Sequence, residues 1–382
     1  MDYSAKQRFL SELQEVDWDF TGQSMGDGFS RFHWHPARFL PQLPAILISA
    51  LSEPGDHVLD PFCGSGTTLV EARLQGRVAL GIDTNPVAAL IAAAKTAPFD
   101  RDSFDRFVVS TLDSVANSLG TFGGRLDAVS ANIPNLDEQQ RWYHERTLAE
   151  LGVIWHTLNH AEPAYYLAGA ATFSSILREV CSQDKHWGWI CDNVTPKTLV
   201  YRDAVTSFAN KLQEYGASAR DLNDIADQSL ECRVATGECA NQLATEPTDS
   251  IDLVVTSPPY FGVTDYAKAQ RLSFLWFGFP LEATRQSEAG ARSKRRRKTA
   301  LTEFLRDMED SFVQIARVLK PGAFCAIVLG ESPARAAHLD ELEEVIGRSG
   351  LRVEQRIERR LPSQRGLIAT LKEERILVCR NG

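Results

Sequence analysis

Two short segments hold the residues best equipped for chemistry. The first is Leu59-Asp-Pro-Phe-Cys-Gly-Ser-Gly-Thr-Thr68. Gly64 and Gly66 let the backbone fold tightly and approach a ligand, because no Cβ intervenes. A helix opening at Thr67 adds free N–H groups facing that ligand. Asp83 falls at the tip of the next strand, a common place for a carboxylate that accepts both hydroxyls of a ribose. A bare G-x-G is more often just a tight turn; Asp60 before it, Thr67-Thr68 after it and Asp83 beyond reverse that in favour of a binding loop. The second segment is Thr256-Ser-Pro-Pro-Tyr260. Two prolines fix φ at successive positions and remove two N–H donors, which leaves a rigid, acceptor-rich edge. Ser257 Oγ and the carbonyls of this turn can accept hydrogens from an amino group, and Tyr260 offers a flat ring for stacking. That is the equipment for holding a nucleobase –NH2 with its lone pair aimed at an electrophile. In isolation the same letters make a strand-ending turn with an exposed tyrosine. At the end of a strand in a doubly wound sheet, where ligands occupy the crevice at the strands' carboxyl ends, binding is the better reading.

The elements that must position these loops are legible as two α/β blocks around a less regular middle. His57-Val-Leu-Asp60 reads as a buried strand, Thr67 to Gln75 as a helix, Val78-Ala-Leu-Gly-Ile82 as a second strand, and Pro86 to Ala94 as a helix opened by proline. Strand, helix, strand, helix within about 40 residues points to a parallel sheet. The second block holds the strands Cys232–Thr236 and Ile251–Thr256, a helix from about Leu301 to Val318 stopped by Lys320-Pro-Gly322, the strand Phe324–Leu329, and a closing pair near Leu351–Ile357 and Arg375–Cys379. Between the blocks, Arg141-Trp-Tyr143, the Leu148/Leu151/Ile154-Trp155 spacing and Phe208/Leu212 are helical in pattern. About 130 residues is too long for a connection, so a helical subdomain is expected there. The expected organisation is 1–98, the first part of the catalytic domain with the Gly-rich loop; 99–229, the inserted helical subdomain; and 230–382, the rest of the catalytic domain.

Composition excludes several classes. The 382 residues are 43% hydrophobic and 24% charged, ordinary for a folded chain and foreign to a disordered or collagen-like one. The net charge is −9, so no global basic field for nucleic acid exists. The run Arg292-Ser-Lys-Arg-Arg-Arg-Lys298 concentrates six of the 41 basic residues; the remaining 35 face 50 acidic ones. Its position beyond the proline loop favours phosphate binding over a merely solvated loop. Lys185-His-Trp-Gly-Trp-Ile-Cys-Asp-Asn193 interleaves aromatic and polar residues, either a base- or groove-reading surface or the subdomain's aromatic core. The seven cysteines form no C-x-x-C and are odd in number, against a zinc ribbon and against a secreted disulfide framework. His33, His35 and His186 have no companions at ligand spacing, so no metal is expected. Met1–Arg8 opens no signal peptide, and no apolar run approaches a membrane span of roughly 18 residues. A reducing cytoplasm is the expected compartment.

Together Asp60-Pro-Phe-Cys-Gly-Ser-Gly66 and Thr256-Ser-Pro-Pro-Tyr260 resemble the cofactor and catalytic motifs of S-adenosylmethionine-dependent DNA amino-methyltransferases. Ser-Pro-Pro-Tyr resembles the cytosine-N4 branch; the adenine-N6 branch more often begins with Asp. Phe32-His-Trp-His-Pro-Ala-Arg-Phe39 resembles a further cofactor motif of that family. The likeness spans about 30–97 and 232–379. It implies a Rossmann-like, doubly wound, mostly parallel α/β sheet of the class I methyltransferase type. It implies that Asp60, Pro61, Phe62, Cys63, Gly64, Ser65, Gly66, Thr67 and Thr68 cradle S-adenosyl-L-methionine, with Asp83 on the ribose, Glu238 near the adenine amino group and Phe39 packed on the cofactor. Ser257, Pro258, Pro259 and Tyr260 are then the catalytic loop, transferring methyl in line to an exocyclic amino group, most simply cytosine N4, of a base flipped out of double-stranded DNA. Arg292, Lys294, Arg295, Arg296, Arg297 and Lys298 are the expected DNA-backbone contacts. Carbon-5 methylation needs a cysteine after proline, and none of the seven follows one. An adenine-N6 DNA methyltransferase, an RNA amino-methyltransferase acting on tRNA or rRNA, and a binder that keeps the fold without catalysis are the alternatives; intact Asp60, Ser257, Pro258 and Tyr260 speak against the binder. With Gly382 ending the sequence, little room follows the catalytic motifs, so 99–229 is the expected DNA reader, assisted by 261–300. A cognate restriction endonuclease is the partner the resemblance suggests.

Overall fold

The computed structural model describes residues 13–20, 26, 28–36, 39–123, 125–183, 195–331, 337–360 and 373–382. Met1–Arg8, Ala37-Arg38 of the upstream motif, and the Lys185–Asn193 segment with His186 and Cys191 lie outside the described residues.

The chain lays down α1 (Gln42–Leu51), β1 (His57–Asp60), α2 (Thr67–Leu74), β2 (Val78–Asp83) and α3 (Pro86–Thr96). Four longer helices follow: α4 (Arg101–Phe122), α5 (Glu145–Asn159), α6 (Tyr166–Val180) and α7 (Ala204–Ile225). The sheet resumes with β3 (Cys232–Thr236), α8 (Cys239–Leu243), β4 (Ile251–Thr256), α9 (Ala300–Val318) and β5 (Leu319–Glu331), and closes with α10 (Ala337–Arg348), β6 (Leu351–Arg360) and β7 (Glu373–Asn381). Shorter helices are named by their residues.

The strands form because apolar side chains fill both faces. In β5, Phe324, Ala326 and Val328 enter one core with Leu43 and Leu47 of α1. Cys325, Ile327 and Leu329 enter the other with Phe312 and Ile315 of α9. A strand buried on both sides is what a sheet covered by helices requires. Seven strands make one sheet in the order β3-β2-β1-β4-β5-β7-β6. β3, β2, β1, β4 and β5 run parallel, and β7 is antiparallel to both β5 and β6. This is the doubly wound, mostly parallel α/β sheet that the motifs imply, and its antiparallel edge is the closing pair read from Leu351 and Arg375 onward.

The order carries the site. β1 has β2 on one side and β4 on the other, so the winding reverses between β1 and β4. A crevice opens at the carboxyl ends of strands at such a switch point. The Gly-rich loop leaves β1 there, and Ser-Pro-Pro-Tyr leaves β4 beside it.

Among the described residues of 101–225, every regular element is helical. Their core (Phe104, Leu148, Leu151, Phe173, Phe208, Leu212) also takes in Phe29, Phe32, Ala94, Leu272 and Trp276, so these helices share one interior with α3 and the 271–277 helix. Arg141–Tyr143 differs from its helical pattern and forms a turn. Trp142 and Tyr143 are each only 1% exposed, and Tyr143 Oη donates to Leu177 O at 3.1 Å. Two large rings anchored in the interior set the backbone there, not local propensity.

Candidate functional site

The loop after β1 turns at Gly64 and Gly66, with φ of 50° and 81°. A side chain in this left-handed region costs about 1–2 kcal/mol. Space also forbids one at Gly66: its Cβ would stand 2.8 Å from Ala92 Cβ on α3. The loop is pinned to β2, Cys63 N–H donating to Ile82 O at 2.9 Å and Gly64 N–H to Asp83 Oδ2 at 2.8 Å. Asp83 Oδ1 accepts from Asn85 N–H at 2.8 Å. Asp83 thus holds the glycine loop and the entry to α3 together, and each oxygen keeps a further lone pair for a ligand. Asn85 caps α3, its Oδ1 accepting from Val87 N–H at 3.0 Å, and its amide donates to Gln270 Oε1 at 2.8 Å.

Across the switch point, Thr256 Oγ1 donates to Asp60 Oδ1 at 2.6 Å, and Phe62 N–H donates to the same oxygen at 3.2 Å. One buried carboxyl therefore fastens the end of β4 to the loop that follows β1. Ser257 Oγ lies 3.1 Å from both Tyr260 Oη and Val328 O. Tyr260 Oη donates to Glu374 Oε1 at 3.0 Å, and Glu374 is paired with Arg359 at 3.2 Å.

Both loops line one cleft of about 910 Å³, counted with the solvent in its mouth. Phe39, Asp60, Pro61, Phe62, Cys63, Gly64, Ser65, Thr67, Thr68 and Asp83 line it together with Ser257, Pro259 and Tyr260. Gly66 stands outside that lining as the N-cap of α2, and Pro258 is buried behind the turn. Glu238 does not reach the cleft: it is exposed and accepts from Asn241 Nδ2 at 2.9 Å, while its neighbours Gly237 and Cys239 form the wall. Glu238 lies beyond the end of β3 as the N-cap of α8, where it is exposed.

The basic run divides. Arg292, Arg295, Arg296, Arg297 and Lys298 are exposed. Lys294 is half-buried, its Nζ donating to Gln286 O at 2.6 Å and Glu288 O at 2.8 Å, so it braces the protein and is not held out to solvent with the others. Arg292 N–H donates to Thr264 O at 3.1 Å and Ser293 Oγ to Asp265 Oδ1 at 2.7 Å. The run is thereby anchored beside the stretch that supplies the cleft with Tyr266 and Glu288.

Asn85, Tyr266 and Glu288 are lining residues that sequence reasoning missed. Asn85 had a signal, an Asn-Pro pair at a helix start. Tyr266 and Glu288 had none, because they arrive through the irregular segment after Ser-Pro-Pro-Tyr. The Tyr266 ring stacks on His35, centroids 6.3 Å apart at 24°. Glu288 is 5% exposed; its Oε1 accepts from Ala267 N–H, and its Oε2 has no hydrogen-bond partner among the described residues. Burial pushes its carboxyl up to about 7. Burial likewise pushes Asp60 and Asp83 up to about 6 each, against the downward pull of their hydrogen bonds. Among the described residues neither Lys nor Arg lines the cleft, so three carboxyls set its field. Such a cleft favours a cationic ligand lying along a glycine-rich backbone. Among the described residues no group of three or more His, Cys, Asp or Glu is placed to hold a metal, and no helix is long and apolar enough to cross a membrane.

A family model described as DNA methylase matches residues 7–94, which include the Gly-rich loop and Asp83. The type II methyltransferase M.MvaI of Kocuria varians is 26% identical over 66% of this chain and 58% of its own length. The type II methyltransferase M.MjaII of Methanocaldococcus jannaschii is 31% identical over 26% of this chain and 20% of its own. The tRNA (guanine(10)-N2)-dimethyltransferase of the same organism is 44% identical over 14% of this chain and 15% of its own. The chain therefore spans less than two thirds of each of these relatives. Its likeness to the S-adenosylmethionine-dependent DNA amino-methyltransferases, read from two motifs, extends beyond those motifs.

Proposed function

We propose that this chain transfers a methyl group from S-adenosylmethionine to an exocyclic amino group of a DNA base, cytosine N4. The observation that carries the reading is the shared cleft: the glycine loop after β1 and the Ser-Pro-Pro-Tyr corner after β4 line one crevice, fastened to each other through Asp60 and Thr256. The cleft fits the cofactor. A sulfonium and an ammonium are cationic, and the lining offers Asp60, Asp83 and Glu288 with neither Lys nor Arg among the described residues. Serine at 257 supports the cytosine branch.

When bound, the cofactor supplies a methyl carbon already activated by its sulfonium. The chain's own residues supply placement and electrostatics. An aromatic amino group is a poor nucleophile, because its lone pair is delocalised into the ring. Ser257 Oγ, which lines the cleft where Pro258 does not, accepts a hydrogen from it, favours a tetrahedral nitrogen and takes up the positive charge that develops as the nitrogen–carbon bond forms. The base reaches this corner only when extruded from the duplex, at a cost of a few kcal/mol. Stacking on Tyr260 returns roughly 1–3 kcal/mol of that. The exposed arginines of 292–297 and Lys298 hold backbone phosphates, the helices of 101–225 read the sequence, a restriction endonuclease is the companion, and the setting is the cytoplasm.

Methyl-labelled cofactor offered with duplex DNA, tRNA and rRNA in parallel tests this, with modified nucleosides identified by mass spectrometry. N4-methylcytosine from DNA is the expected product. N6-methyladenine would change the base, and label in RNA alone would move the reading to RNA, which the segment shared with the tRNA dimethyltransferase favours. No cofactor binding and no label in any substrate would sink it. Ser257→Ala lowers kcat about 10²-fold, with cofactor Kd unchanged; full turnover in that variant refutes the serine's role.

A further inference from the structure

We infer that Glu374 and Arg359 are positioning residues for methyl transfer: they fix the direction of hydrogen bonding at the Ser-Pro-Pro-Tyr corner so that Ser257 Oγ faces the cleft as an acceptor only. The inference rests on the proposed transfer to an amino group.

The geometry is a chain. Arg359 Nη1 lies 3.2 Å from Glu374 Oε2, with side chains 2% and 12% exposed. Glu374 Oε1 lies 3.0 Å from Tyr260 Oη, which lies 3.1 Å from Ser257 Oγ. Each hydroxyl has one proton. Burial raises the Glu374 carboxyl while the Arg359 charge and the Tyr260 hydrogen bond hold it down; as a carboxylate paired with Arg359 it cannot donate, and a charged acceptor draws the stronger bond, so the tyrosine's proton goes to Glu374. Burial keeps Tyr260 protonated, its ionisation pushed well above the usual range. Its oxygen is then an acceptor toward Ser257. The serine's single proton goes to Tyr260 Oη or to Val328 O, also at 3.1 Å. Either way it is consumed inside the protein, and both serine lone pairs remain for an amino group in the cleft. Arg359 fixes the direction: it has donors only, so it holds the carboxylate in place and keeps the acceptor end toward Tyr260. Neither residue lines the cleft. Tyr260 is also held sterically, its ring lying where a Cβ on Gly330 would stand, 2.2 Å away.

Glu374→Gln inverts the chain. Arg359 claims the amide oxygen, the amide –NH2 faces Tyr260, and the tyrosine's proton turns onto Ser257 Oγ, occupying a lone pair. Steady-state kinetics of the full chain on duplex DNA, with cofactor Kd measured by calorimetry, gives the test. Glu374→Gln should lower kcat about 10²-fold with cofactor Kd unchanged. Tyr260→Phe keeps the ring and the ion pair but removes the misdirected proton. Tyr260 belongs to the catalytic loop, so this variant sets its own baseline alone; combined with Glu374→Gln it should raise kcat above that of Glu374→Gln, to the Tyr260→Phe level. Unchanged kcat in Glu374→Gln, or a double variant no faster than Glu374→Gln, overturns the inference. Should Glu374→Gln not fold, Arg359→Gln decides: it removes the cation that holds the carboxylate and should lower kcat with cofactor Kd unchanged, and an unchanged kcat overturns the inference. A wild-type chain that methylates nothing overturns the proposed function and this inference with it; wild-type turnover with either adverse result overturns the inference alone.

Discussion

Glu288 shows what a single buried acid does to stability and binding together. Its ordinary value is 4.5 and its value in the fold is about 7. Between these the unfolded chain has released the proton and the folded chain has not. The unfolded state binds fewer protons there, so stability falls as pH rises from about 4.5 to about 7 and is flat above. At 1.36 kcal/mol per unit this is roughly 3 kcal/mol. Glu288→Gln removes the liability while keeping an oxygen for Ala267 N–H. The variant should therefore be more stable than wild type at pH 8, by up to about 3 kcal/mol in urea unfolding, and equally stable near pH 4.5. Asp60 and Asp83 titrate in both proteins and largely cancel. The same variant should bind S-adenosylmethionine more weakly at pH 8, because a cationic ligand loses a charge that the empty cleft holds at a cost. Identical urea midpoints at both pH values would remove the buried carboxyl from the account.

At the scale of elements, the β1–loop–α2 turn is held by contact as much as by dihedral. Gly66→Ala places a Cβ on Ala92 and forces φ of 81° on a residue that resists it. The expected loss is about 2–4 kcal/mol of unfolding free energy, whereas Ala at Gly76, with φ of 72° but its nearest neighbour 3.9 Å off at Pro54, carries the dihedral penalty alone. Equal losses at the two sites, measured by denaturant unfolding, would show that α3 does not crowd the loop. These local features were legible: strand, glycine turn, helix and proline corner follow from neighbouring residues. What was not legible comes from packing across the chain. Arg141–Tyr143 carries a helical pattern, yet the burial of Trp142 and Tyr143 makes it a turn. Glu238 stands one residue from two cleft positions, yet as the N-cap of α8 it is exposed and bonds Asn241 instead. Glu288 and the pair Glu374–Arg359 come from segments that only the tertiary structure brings to the site, and no spacing rule links Ser257 to a residue on β7.

Over the whole molecule, charge is sorted. The chain is −9, the cleft is lined by carboxyls, and five exposed basic residues of 292–298 stand on a segment tied to the cleft wall through Thr264 and Asp265. An acidic body repels a polyanion, so the proposed binding to DNA would depend on exposed cations such as Arg295, Arg296 and Arg297. Each phosphate neutralised releases a counterion and adds about 0.9 to the slope of log K against log salt. Replacing Arg295, Arg296 and Arg297 together by Gln should flatten that slope by up to about 2.7 and weaken binding to all duplexes alike, with cofactor affinity unchanged. Lys294→Gln should behave differently. Its ammonium serves the carbonyls of Gln286 and Glu288, so its loss should lower the melting temperature and leave the slope as it was. Titrations of labelled duplex at a series of salt concentrations separate the two. A slope that responds to Lys294 and ignores the three arginines would mean that the phosphates lie on another face.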